Sequence, residues 1–163
     1  MSKRAVALAV AIGVVALDQL TKTVVASRME LHQSIPVVDG FFALTYVRNT
    51  GAAFGLLAGK LVTFRTPFFV GVSGIALGAL GWFLRGVPAE RRLVVVACGA
   101  VMGGAIGNMI DRIVLGEVID FLDLYVGAYH WPAFNVADTA ITLGVFALCL
   151  DALRRPSPSH SVA

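Results

Sequence analysis

The sequence predicts an all-α polytopic membrane protein: four transmembrane helices with a small outer, periplasmic-side β-sheet or cradle. Three observations predict it. Of 163 residues, 58% are hydrophobic and only 14% charged, and the mean hydropathy of +0.83 lies far above that of a soluble domain this size. Four stretches approach the ~20 mostly apolar residues that a bilayer span needs: residues 5–25, 67–84, 93–114 and 133–153. The Lys and Arg flanking these stretches fall mainly on one side, as cytoplasmic flanks do.

The first stretch follows Lys3 and Arg4. It also fits a cleavable secretory signal, with Val24-Val25-Ala26 as a small-residue cleavage site. Cleavage there would discard Asp18 and Lys22, charged residues that are costly in a span unless they serve something, so an uncleaved helix is the better reading. Asp18 and Lys22 form an i, i+4 pair of opposite sign. It is expected to tie the first helix to the outer sheet while Lys22 snorkels.

The first outer loop spans residues 26–66. Apolar and polar residues alternate over 32–60 around turn signals such as Asp39-Gly40 and Asn49-Thr50-Gly51, which suggests short strands at 35–38 and 41–47. Arg28, Arg48, Lys60 and Arg65 weaken the charge bias, but they are spread through a long loop, and short flanks count most.

In the second stretch Gly71, Gly74 and Gly78 suggest close helix contact. Arg85, Arg91 and Arg92 fill the short loop that follows. In the third, Gly99, Gly103 and Gly107 recur at four-residue intervals, a small-residue ridge for another helix. The run 103–107 follows no strand and has no P-loop lysine, so it is not a nucleotide cradle. Asn108, Asp111 and Arg112 share one helix face, where bonds to each other and to neighbouring helices suit Asp111 to a structural role.

The second outer loop spans 115–132. Tyr125, Tyr129 and Trp131 fit the headgroup belt, and Asp123 is expected to be a solvated loop residue. Arg154 and Arg155 close the fourth stretch, and residues 156–163, with two prolines and three serines, read as a disordered cytoplasmic tail. Residues 1–155 thus form one integral membrane domain with both termini cytoplasmic.

The net charge of +3 is largely this flanking charge and implies no nucleic-acid partner. Cys98 and Cys149 fall in spans and behave as small apolar side chains. His32, His130 and His160 have no ligand-like spacing and no HExxH helix occurs, so neither a metal nor another cofactor is expected.

The polar residues at membrane depth converge. Asp18 and Lys22 lie late in an outward-running helix, Asn108, Asp111 and Arg112 late in a second, and Asn135 and Asp138 early in an inward-running one. Each charge costs roughly 2.5–3.5 kcal/mol at mid-span and less near its end, so several near the outer leaflet suggest a shared site. Asp120, in Val118-Ile119-Asp120-Phe121, and Asp138, in Phe134-Asn135-Val136-Ala137-Asp138, have mainly apolar neighbours and no sequence-local cation. Two carboxylates held close cannot easily both ionise; one keeps a proton while the other is a base. Such a pair suits peptide hydrolysis: one activates water and the other hydrogen-bonds the scissile carbonyl. A small transporter would place such groups nearer the midplane, often within internal repeats. Polar residues that merely glue helices would account for Asp111 and Arg112 better than for Asp120 and Asp138.

The two blocks around these aspartates join three others in order: Asp18-Gln19-Leu20-Thr21-Lys22, Asn49-Thr50-Gly51-Ala52-Ala53-Phe54, and the run from Gly103 through Asn108 to Asp111-Arg112. With them the chain resembles the lipoprotein signal peptidases, the type II signal peptidases of bacterial inner membranes, which are aspartic peptidases. The resemblance implies that Asp120 and Asp138 are the catalytic dyad, with Asn49, Gly51, Asn108, Arg112 and Asn135 lining or supporting the substrate site. The site is expected near the outer leaflet, where the polar residues gather, and the protein is expected to be a monomer. The substrate would be a diacylglyceryl-modified prolipoprotein, entering sideways through membrane lipid and cut just before its lipidated cysteine.

Overall fold

The structure is a computed structural model and describes residues 1–51 and 62–154. The Ala52-Ala53-Phe54 part of the second block, Lys60, Arg155 and the tail lie outside the described residues. Four helices are long and apolar enough to cross a membrane: α1 (Lys3–Arg28), α2 (Val62–Gly86, apolar from Phe64), α3 (Arg92–Leu115) and α4 (Val136–Leu153). The protein is a multi-pass membrane protein. The helix α2 begins before Pro67, where the sequence placed its start. α4 begins after 133 because Asn135 caps it and Phe134 is drawn into a bridge with Leu122.

Helix α3 lies at the centre, and its small residues explain why. A Cβ added to Gly99 or Gly103 would strike backbone and side chains of α1. One added to Gly104 would strike the Ala137 carbonyl of α4, and one at Gly107 would lie 2.5 Å from an Asp18 carboxylate oxygen. Gly144 of α4 meets Val101 and the Ala97 carbonyl of α3 in return. The expectation for α2 is corrected. A Cβ at Gly71, Gly74 or Gly78 meets nothing within 4 Å, because α2 packs on α3 from the rim of the bundle and turns most of its surface outward. A small-residue stripe permits close approach without requiring it.

At one end of the bundle Lys3 donates to the carbonyls of Arg85 and Val87, and Arg91 pairs with Asp151. Both ends of the described chain therefore lie beside the α2–α3 loop. At the other end stands an antiparallel sheet in the order β1 (Ser34–Val38), β2 (Phe42–Asn49), β3 (Val118–Val126) and β4 (Tyr129–His130). The sequence anticipated β1 and β2 but read 115–132 as loop. In β3 both faces are covered over 118–121, so the strand carries no period-two alternation to betray it. Its lower half packs with Val25 of α1 and Tyr46 of β2 into a core of Val25, Tyr46, Ile119 and Phe121, flanked by Val136 at the head of α4. That core fixes the sheet onto the helix ends.

Asp123 also departs from expectation. It lies on β3 and is only 6% exposed, accepting from the Thr45 hydroxyl at 3.1 Å and pairing with His130 Nδ1 at 2.9 Å. The register that sets Asp123 opposite Ala43 places Thr45 and His130 on either side of it, and their donors compensate its burial.

Candidate active site

Two polar clusters meet where the sheet joins the helices. In the first, the Lys22 ammonium lies 2.8 Å from Asp18 Oδ2, 2.8 Å from Asp111 Oδ2 and 2.9 Å from Asn108 Oδ1. Gln19 donates to both Asp111 and Asp18 and to the Gly107 carbonyl. Asp18 accepts the Ala137 backbone N–H at the head of α4, and Asp111 accepts that of Ile119 at the start of β3. Lys22 does not snorkel. It is 2% exposed, because three acceptors compensate its charge inside the bundle better than a stretch toward the interface would. The Asp18–Lys22 pair therefore binds α1 chiefly to α3 and α4.

The second cluster holds Asp120 and Asp138. Asp138 is in the first turn of α4, and Asn135 is its N-cap. The Asn135 side chain accepts from the Asp138 backbone N–H, and the Asp138 carboxylate accepts from that of Asn135, a capping box that fixes both side chains. Asp120 arrives from β3, whose antiparallel register sets Val47 opposite Asp120 and Asn49 opposite Val118. Asn135 Nδ2 reaches Asp120 Oδ1 at 2.7 Å, and Asn49 Nδ2 reaches Asp120 Oδ2 at 2.9 Å. Asn108 Nδ2 reaches Asp138 Oδ1 at 2.7 Å.

Asn135 thus touches both aspartates. Its Nδ2 also lies 3.1 Å from Asn108 Oδ1, and that oxygen accepts a hydrogen bond from the Lys22 ammonium, which orients the Asn108 amide with its nitrogen toward Asp138. Among the described residues every buried side-chain nitrogen and oxygen has a hydrogen-bond partner.

Gly51 and Arg112 shape the edge of the cluster. The Gly51 N–H bonds Asn49 Oδ1 at 2.8 Å, which turns the Asn49 nitrogen toward Asp120. Gly51 has φ +75°, and a Cβ there would lie 2.6 Å from the Phe69 ring, so glycine is required twice over. The Arg112 guanidinium stacks 4.8 Å from the centre of that same ring and donates to the Asn108 carbonyl. It lies within electrostatic reach of Asp138, Asp120 and Asp111.

The two aspartates differ in environment. Asp120 is 2% exposed, while Asp138 is half-buried. Burial, reinforced by the charge of Asp138, pushes the Asp120 carboxyl up to about 6 against the opposing bonds from Asn49 and Asn135 and the field of Lys22. Asp123, held by Thr45 and His130, bonds to neither.

All ten polar and glycine positions singled out in the sequence come together in these two clusters. Gln19 and Phe69 join them unannounced. Gln19 carries no charge to stand out in a span, and Phe69 is one of three phenylalanines between Phe64 and Phe69, so only the fold distinguishes it.

The profile of the family described as signal peptidase (SPase) II matches residues 10–154. The chain belongs to the signal peptidase II family. It is therefore an aspartic peptidase. Among its relatives, the lipoprotein signal peptidase of Syntrophus aciditrophicus is 52% identical over 87% of this chain and 88% of that one. The lipoprotein signal peptidase of Geobacter sulfurreducens is 51% identical over 90% of each. Two solved structures of a bacterial membrane enzyme, obtained by the in meso method at 2.3 and 1.9 Å, superpose with a TM-score of 0.82 each at 35% and 36% identity. They cover 96% and 92% of this chain and 93% and 94% of their own.

Proposed function

We propose that Asp120 and Asp138 are the dyad with which this signal peptidase II cleaves prolipoproteins, just before a cysteine that already carries a diacylglyceryl group. The observation that carries this reading is the Asn135 bridge: one fully buried residue holds a strand aspartate and a helix aspartate to a common site, with no cation between them among the described residues.

In this mechanism Asp138, the more accessible carboxylate, removes a proton from water, and the resulting hydroxide attacks the scissile carbonyl carbon. Asp120 holds the pair's other proton and donates it toward the carbonyl oxygen as charge develops there. The titration belongs to the pair as a whole. Collapse of the tetrahedral intermediate breaks the C–N bond, and the amine leaves with a proton returned by the dyad. Asn49, Asn108 and Asn135 hold the carboxylates in place, while Gly51 keeps the Phe69 ring, and Arg112 stacked on it, at the rim.

The arginines and lysines at the sheet-free end support an orientation with both termini cytoplasmic and the sheet outside, on the periplasmic side of the inner membrane. A lipid-anchored substrate then reaches the dyad sideways from the outer leaflet, its acyl chains contributing about 0.8 kcal/mol per buried methylene. Residues 1–155 act as one domain and as a monomer, with 156–163 as a cytoplasmic tail.

The test is cleavage of a diacylglyceryl-modified prolipoprotein by purified protein, comparing wild type with Asp120→Asn and Asp138→Asn. Each substitution is expected to lower the rate at least about a hundredfold. Undiminished cleavage by either variant removes that residue from the dyad. Loss of activity to a chelator with recovery on a divalent metal would replace the mechanism altogether.

A further inference from the structure

At the end of the bundle away from the sheet, α1 and α2 rest on α3 with a groove between them. It encloses about 440 Å³, with Leu8 on the α1 wall, Gly81 on the α2 wall, Met102 and Ile106 of α3 as the floor, and Arg4 and Arg85 at the mouth. Three features fit together.

The first is depth. Met102 and Ile106 are ten and fourteen residues into α3, about 15 and 21 Å from its Arg92 end at 1.5 Å per residue. Half of the ~30 Å hydrocarbon core is about 15 Å, so the groove runs from the headgroup level to just past the middle of the bilayer, deep enough for an acyl chain.

The second is charge. Arg4 and Arg85 are both exposed, and among the described residues neither forms an ion pair with a carboxylate. Lys3 is already engaged, donating to the carbonyls of Arg85 at the end of α2 and Val87 just after it. The mouth therefore carries two uncompensated cations at headgroup level and offers no acid to a quaternary ammonium.

The third is the missing side chain. A Cβ at Gly81 meets nothing within 4 Å, so packing does not demand glycine there; its lack of a side chain leaves the α2 wall hollow.

We propose that this groove binds one anionic phospholipid, its phosphate between Arg4 and Arg85 and one acyl chain lying along Leu8, Gly81, Met102 and Ile106. Basic pockets between membrane helices select such headgroups. The orientation proposed above makes it an inner-leaflet lipid, but the site depends neither on that orientation nor on the dyad, which lies at the opposite end of the bundle.

The test uses the purified full chain in a neutral detergent, titrated with dioleoylphosphatidylglycerol or dioleoylphosphatidylcholine. Bound lipid is counted by native mass spectrometry and thermal stability is followed in parallel. One phosphatidylglycerol is expected to bind and raise the melting temperature. At roughly fivefold per arginine, it should be preferred over phosphatidylcholine by about 25-fold.

Arg4→Gln combined with Arg85→Gln should bring that ratio close to one. Gly81→Leu, whose Cβ meets nothing within 4 Å and which changes no charge, puts a side chain into the groove and should weaken phosphatidylglycerol binding with both arginines present. Equal binding of the two lipids by wild type, a preference that survives the double arginine substitution, or undiminished binding by Gly81→Leu would each overturn the proposal. So would inorganic phosphate raising the melting temperature as much as the lipid does.

Discussion

Two pairs of acids sit side by side at the sheet end of the bundle, and they are compensated in different ways. Asp18 and Asp111 share an ammonium 2.8 Å from each, and both also accept from backbone N–H groups. Among the described residues Asp120 and Asp138 have no cation in contact. Their donors there are the amides of Asn49, Asn108 and Asn135. An ammonium cancels charge, whereas an amide dipole fixes position and leaves most of the charge in place. The first pair therefore has its charge balanced by a fixed cation and serves as architecture. In the second a proton supplies the compensation, and a carboxyl buried enough to rise to about 6 keeps that proton within reach of neutral pH.

The largest effect is expected at Lys22. Lys22→Met leaves Asp18 and Asp111 buried without their cation, and unfolding measurements are expected to show a loss of about 3–5 kcal/mol. Adding Asp18→Asn and Asp111→Asn should recover most of it. A single variant as stable as wild type would mean that the ammonium does not hold these helices together.

A smaller effect is expected from pH at Asp120. Its folded value lies above that of an unfolded aspartate, near 4, so its contribution to stability is fullest below pH 4 and is lost as pH rises through about 6. The stability of Asp120→Asn relative to wild type should accordingly improve between pH 4 and 8 by on the order of 2–3 kcal/mol. A difference independent of pH would contradict the raised value.

Asn49→Ala sharpens the same point through rate. With one proton required on the pair, kcat/KM should fall as pH rises past about 6. Removing a hydrogen bond that favours the charged form should move this upper limb to higher pH, and a shift to lower pH would reverse the assignment. The smallest effect belongs to Asp123, which is outside both clusters. Asp123→Asn should cost about 1 kcal/mol through Thr45 and His130 and leave kcat unchanged in the folded enzyme.

Much of this was legible in the sequence, for physical reasons that also explain the gaps. The spans were clear because a helix in lipid must be apolar for most of its length, and the polar cluster because charges at that depth stand out. Strands β1 and β2 alternate and end in turn residues. β3 does not alternate, because its residues 118–121 are buried on both faces. The glycines of α2 and α3 repeat at similar spacings, yet only those of α3 meet a neighbour. Which helix is central depends on how the others pack, and no local pattern records that. Lys22 misled for a related reason: a lysine near the end of a span snorkels when alone, and its acceptors Asn108 and Asp111 lie 86 and 89 positions away along the chain.

In the proposed mechanism the acids without a cation react, and those that share Lys22 only hold the fold. The most direct test of this division sets Asp120→Asn beside Asp111→Asn, measuring prolipoprotein cleavage and melting temperature on the same preparations. Asp120→Asn should be folded and inactive, while Asp111→Asn should melt earlier and still cleave in its folded fraction. A stable, inactive Asp111→Asn together with an active Asp120→Asn would contradict it.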